Sequence, residues 1–254
     1  MQASSASALD VQDFIDRHPF SGYQWVVLIL CFLIVLVDGF DTAAIGYIAP
    51  SLISEWGITR PALAPVLSAA LFGLAFGALA AGPIADRIGR KWLLLISLAI
   101  MGCASLVSAS AANLDQLTMW RFVTGLGLGA AMPSAVTLMS EYSPTPRRAF
   151  MTSAMFCGFP LGSACGGFFA AWMIPQFGWR SLLVLGGLLP LLLLVLSFIW
   201  MPESARFLVA RARQSAHDKV VRILQRIHHS ANAVEQFVSF EVNSETAGSV
   251  PVVL

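Results

Sequence analysis

Residues 25–202 consist of six long runs from which charge is nearly absent. Residues 61–85, 92–114, 122–140, 149–179 and 181–202 contain no charged side chain, and residues 25–50 contain only Asp38 and Asp41. A helix needs roughly 20 apolar residues to cross a hydrocarbon core of about 30 Å. It is favoured there because it satisfies its own backbone hydrogen bonds, which lipid cannot do. The runs therefore predict an all-α membrane protein with six transmembrane helices. Composition agrees: 57% of the 254 residues are hydrophobic and 11% charged, against about 25% charged in soluble domains. The lipid bilayer is the first partner implied. No basic tract is dense enough for nucleic acid. The amino terminus lacks the basic region of a cleavable signal, so the first apolar run is expected to remain as a helix.

The positive charges orient the expected helices. With the amino terminus in the cytoplasm, that side carries Arg17, the group Arg87, Arg90 and Lys91, the pair Arg147 and Arg148, and the tail residues Arg206, Arg211, Arg213, Lys219, Arg222 and Arg226. Only Arg60 and Arg180 fall outside, and Arg121 falls within a helix. Cationic loops stay on the cytoplasmic side, so both termini are expected there. Three segments follow: a cytoplasmic start at 1–22, a transmembrane domain at 23–202 and a cytoplasmic segment at 203–254. In the last, Val220, Ile223, Leu224 and Ile227 have the spacing of a one-faced surface helix. The closing SVPVVL turns apolar again, as though the chain were interrupted.

The cysteines, Cys31, Cys103, Cys157 and Cys165, stand singly in apolar runs and read as small packing residues. All four histidines lie outside those runs, which argues against most metal or Ser/His chemistry at membrane depth. An intramembrane enzyme is thereby disfavoured, and no cofactor is expected. Small residues recur at helix-packing intervals: Gly73 and Gly77; Gly125, Gly127 and Gly129; Gly158, Gly162 and Gly166. Such spacing lets backbones approach closely in lipid. Pro160 within the fifth run predicts a kink there, because proline removes a backbone donor.

Three charges stand where charge is expensive, at about 2.5–3.5 kcal/mol each on insertion scales. Asp38 and Asp41, three residues apart, share one helix face. Repulsion and desolvation together favour a neutral acid at one of them, which suits a proton carrier. Counting about 1.5 Å per residue, Arg121 lies roughly 9 Å from the outer surface and Asp41 roughly 6–10 Å from it. The matched depths predict a cation facing two carboxylates, able to hold them ionised or to receive an anionic substrate when they are protonated. A static salt bridge is the simpler reading. Glu141 and Tyr142 close the fourth helix, with Tyr142 expected in the interfacial aromatic belt.

GPIADRIGRKWLL, from Gly82 to Leu94, resembles the loop between the second and third helices of the major facilitator superfamily. In it, Gly82 and Gly89 would permit a tight turn, Asp86 would cap a helix or pair with a cation, and Arg87, Arg90 and Lys91 would anchor the loop. PESARF, with Glu203 and Arg206, is similar to the signature after that family's sixth helix, and RFVTGLGLGAAMP, from Arg121, to that of its fourth. DGFDTAAIGYIAPSL on the first helix, LDVQDFIDRHPFSGYQW before it and SAMFCGFPLG on the fifth resemble the aromatic acid:proton symporter family and its 4-hydroxybenzoate branch. The resemblance covers about residues 9–208.

It implies the amino-terminal half of a twelve-helix fold that holds substrate between two six-helix halves. It further implies proton-coupled uptake of aromatic carboxylates, with Asp38 and Asp41 both required. Gly82, Asp86, Arg87, Gly89, Arg90 and Lys91 would form a conformational latch whose partner lies in a second half, and Glu141, Glu203 and Arg206 would be charges at the cytoplasmic end. The substrate and a proton are then the small partners. The second half is the missing one, supplied in cis or in trans. The other reading is a truncated or half-size membrane module without transport of its own.

Overall fold

The computed structural model describes residues 15, 16, 20–204 and 207. Arg206, the amphipathic positions Val220 to Ile227 and all four histidines lie outside the described residues. The helices are α1 (Gly22–Trp56), α2 (Ala64–Ile88), α3 (Arg90–Ala109), α4 (Leu114–Tyr142), α5 (Arg148–Phe156), α6 (Gly158–Phe177) and α7 (Arg180–Trp200). Short 3-10 turns, Arg60–Leu63 and Thr145–Arg147, lead into α2 and α5. Together they form six spans long and apolar enough to cross a membrane, as the charge-free runs require.

The ends of the spans have local causes. Ser21 opens α1 with a capping box: its hydroxyl accepts from the Gln24 N–H at 3.3 Å, and the Gln24 side chain accepts from the Ser21 N–H at 2.8 Å. Gly57, left-handed at φ 62°, ends α1. α1 thus runs to Trp56, beyond the expected 25–50, and holds Pro50 in its interior. Gly89, at φ 101°, alone makes the turn between α2 and α3. Gly82 makes no turn; it lies inside α2 with Pro83 beside it. The fifth run, expected as one helix with a kink at Pro160, is two helices meeting at Cys157. Pro160 sits in the first turn of α6, where a missing N–H is tolerated. Its absent donor still withdraws a bond from the turn before it.

α2 packs on α4, α4 on α3 and α1, α1 on α6 and α7, and α3 on α7. α1 and α4 are therefore central, and α2 and α6 flank them. Glycines set how closely these helices approach. A Cβ on Gly73 or Gly77 would overlap the carbonyl oxygens of Phe122 and Leu126 on α4, and one on Gly125 or Gly129 would overlap those of Ala70 and Leu74 on α2. The two small-residue ridges interlock, so the close-packing reading of their spacing holds. Leu71, Phe72, Phe76 and Leu79 of α2, and Phe168 and Trp172 of α6, remain exposed. A surface this apolar is suited to lipid or to another apolar protein face.

Candidate charge-pair site

Asp38 and Asp41 come from the middle of α1, and Arg121 from the second turn of α4. All three are buried, at 3%, 0% and 0% exposure. Arg121 holds Asp41 in a fork: one terminal nitrogen donates to Oδ1 at 3.0 Å, and the other lies 3.0 Å from Oδ2. The second nitrogen also donates to the Asp41 carbonyl at 3.2 Å. A planar guanidinium meets a carboxylate in this two-pronged way, and lysine could not.

Of the two aspartates, Arg121 bonds Asp41. Asp38 is left with a buried Oδ1 that has no hydrogen-bond partner, and Arg121 keeps a buried Nε without one. Asp41 Oδ2, although 3.0 Å from the second guanidinium nitrogen, is likewise without a hydrogen bond, and a buried polar atom without a partner costs about 1–3 kcal/mol.

The pair faces the interior of the bundle. Gly186 of α7 approaches Asp41 so closely that a Cβ there would lie 3.7 Å from Oδ1 and 3.4 Å from the Ser105 hydroxyl of α3. That hydroxyl in turn donates to the Leu183 carbonyl at 3.1 Å. Leu117, Leu182 and Leu183, all fully buried, belong to the apolar cluster on this side. Arg121 is wholly enclosed by this chain in this conformation.

The basic end of the bundle holds a second network. Glu203 accepts from the Lys91 backbone N–H at 2.9 Å, placing a carboxylate at the start of α3 where the helix dipole favours it. Glu141, 7% exposed, accepts from the Ser204 hydroxyl at 3.0 Å. Tyr142 is buried and donates to the Glu203 carbonyl at 2.6 Å, so it is a packed strut and not the belt residue expected. Gln24 donates to the Tyr142 carbonyl at 2.8 Å, which ties the start of α1 to the end of α4. Asp86 pairs with Arg90 one turn on, at 3.1 Å, with 70% of its side chain exposed. Arg87 is exposed beside it. Gly82 stands outside the turn, which Gly89 makes.

Two features escaped the sequence reading. At the opposite end, Glu55 accepts from the Trp179 indole at 2.6 Å and from Arg180 at 2.7 Å, joining α1 to α7. Arg180 lies 4.4 Å from the Trp179 ring centroid, and Trp56 packs edge-on against that ring. The E-W…G-W-R tryptophans at two loop mouths are a weak sign of such a clamp. At the basic end, Asp16 accepts from both the N–H and the hydroxyl of Thr145, each at 2.7 Å. Nothing in their spacing announces that contact.

The family model of the Major Facilitator Superfamily matches residues 31–239. The chain is 54% identical over 246 residues to the 4-hydroxybenzoate transporter PcaK of Pseudomonas putida, covering 97% of this chain and 54% of that protein. It is 55% identical over 203 residues to a gallate transporter of Pseudomonas putida, covering 80% of this chain and 45% of that one. It spans about half the length of the curated relatives it matches. Its fold is similar to about half of the proton:xylose symporter XylE, with a TM-score of 0.69 at 23% identity over 84% of this chain and 52% of that one.

Proposed function

The chain belongs to the Major Facilitator Superfamily, and on that premise we propose that it is the amino-terminal six-helix unit of a proton-coupled importer of aromatic carboxylates. Its two most informative relatives are named for 4-hydroxybenzoate and gallate, both hydroxylated aromatic acids. The basic end faces the cytoplasm of a bacterial inner membrane. The unit comprises a cytoplasmic start at 1–22, a transmembrane domain at 23–202 and a cytoplasmic segment from 203. A second six-helix unit completes the substrate cavity against the exposed apolar faces of α2 and α6.

The observation that carries the proton-coupled reading is the enclosed Asp41–Arg121 fork beside the unpartnered Asp38. Asp41 and Arg121 neutralise each other, so the exchangeable proton falls to Asp38. A charged Asp38 offers Arg121 a second carboxylate one helical turn away; a protonated one leaves Arg121 to Asp41. Each proton exchange thus changes the tie between α1 and α4. Arg121, enclosed in this conformation, couples the two helices. Asp86 with Arg87, Arg90 and Lys91 forms the latch toward the second unit, supported by the exposure of Asp86. Glu141 and Glu203 brace the cytoplasmic end, and Gly89 shapes it.

Uptake of labelled 4-hydroxybenzoate by cells expressing this chain together with the second six-helix unit of a relative tests the reading. Asp38→Asn and Asp41→Asn should each abolish accumulation against a gradient. Undiminished accumulation by Asp38→Asn would remove the proton role. The half length of the match favours one further reading, a six-helix module without transport of its own. Uptake by this chain expressed alone would exclude that reading, and native mass spectrometry would then show a dimer.

A further inference from the structure

The fifth span has an interrupted hydrogen-bond ladder at Cys157, whose own backbone stays right-handed helical at φ −59° and ψ −19°. α5 ends at Phe156 and α6 begins at Gly158. Backbone bonds still bridge the break, from Cys157 to Ser153 at 3.1 Å and from Leu161 to Cys157 at a longer 3.4 Å. Pro160 cannot donate to the Phe156 carbonyl between them. On the α6 side the span is fixed. Gly162 meets the Leu36 carbonyl of α1, and Gly39, between Asp38 and Asp41, meets the carbonyl of Phe159 with no room for a Cβ.

On the α5 side the grip is light. Met151 and Met155 are the buried residues of this nine-residue helix, while Ala149, Phe150, Ser153 and Phe156 are exposed. Methionine contacts are adaptable and re-pack easily. Arg148, the first residue of α5, has a buried Nε with no hydrogen-bond partner, which weakens the docked position. What holds the far end is the pair Ile15 and Asp16. Ile15, 1% exposed, is part of the main apolar cluster, and Asp16 grips Thr145 at both the backbone N–H and the hydroxyl.

We propose that α5 is a swinging element of the basic end, jointed at Cys157–Pro160 against the Gly39 seat, and that Asp16 is the latch that holds it closed. A two-point carboxylate grip is strong enough to hold a short helix and local enough to release without unfolding a span. The seat lies between the two aspartates, so a shift of α1 there reaches the joint directly. The proposal concerns motion within this unit and stands whether or not the chain transports an aromatic acid.

Amide hydrogen exchange on the full chain in lipid nanodiscs tests it. Asp16→Ala should raise exchange across residues 148–156 about tenfold, the scale of a lost charge-assisted bond, and leave residues 158–177 unchanged. Thr145→Val keeps the backbone donor and should give a smaller rise, and the double variant should match Asp16→Ala alone. Pro160→Ala restores the missing donor and stiffens the joint; added to Asp16→Ala, it should bring α5 protection back toward that of α6. Unchanged exchange in α5 on Asp16→Ala would overturn the latch. Equal loosening of α5 and α6, or no recovery with Pro160→Ala, would overturn the joint.

Discussion

At the scale of residues, Asp38 and Asp41 are the same chemical group one turn apart, yet the structure gives them different circumstances. Asp41 is neutralised by Arg121, and Asp38 keeps an oxygen without a partner. Removing one member of an enclosed pair strands the other, at about 3–5 kcal/mol. Arg121→Met or Asp41→Asn should therefore lower the unfolding midpoint in detergent sharply, and Arg121→Met combined with Asp41→Asn should regain much of the loss. Asp38→Asn removes no bond to Asp38 Oδ1 and relieves a buried acid, so its midpoint should hold or rise. The three charges were legible in the sequence because charge in an apolar run is conspicuous. Which aspartate takes the arginine was not, since 3.6-residue periodicity puts both on one face and only the rotation of α1 against α4 selects Asp41.

At the scale of elements, close backbone approach decides which helices are neighbours. Gly77→Leu would drive a side chain into the Leu126 carbonyl of α4. It should cost about 3 kcal/mol, read as a fall in the thermal midpoint, because overpacking here meets rigid backbone. Gly89→Ala should cost about 1–3 kcal/mol by the same measurement, since φ 101° is unfavourable with a Cβ and the Glu203 carboxylate stands 2.5 Å from the site. The spacing of small residues announced that helices would touch. It did not say that Gly125 and Gly129 meet α2 while Gly127 meets α3. The fifth run did announce its joint through Pro160, whose missing donor leaves the Phe156 carbonyl without its bond and so places the break at Cys157.

At the scale of the molecule, α1, α3 and α4 are 61% buried over their most apolar stretches, and the second and fifth spans only 28%. On the proposed reading, the two flanking spans offer their exposed faces to the second unit. Co-expression of this chain with that unit should yield a co-purifying complex, and a charge placed at exposed Phe76 or Phe168 should abolish it without unfolding the chain. The sequence by itself determined the class of the fold, the number of spans and the presence of a charge problem in the membrane. Hydrocarbon cannot solvate backbone or charge, and that constraint is written residue by residue. Only the tertiary structure decided that Arg121 is sealed inside the bundle, that Tyr142 is a strut, and that Asp16 reaches Thr145. Each depends on how helices rotate and pack against one another, which a periodic apolar pattern leaves free.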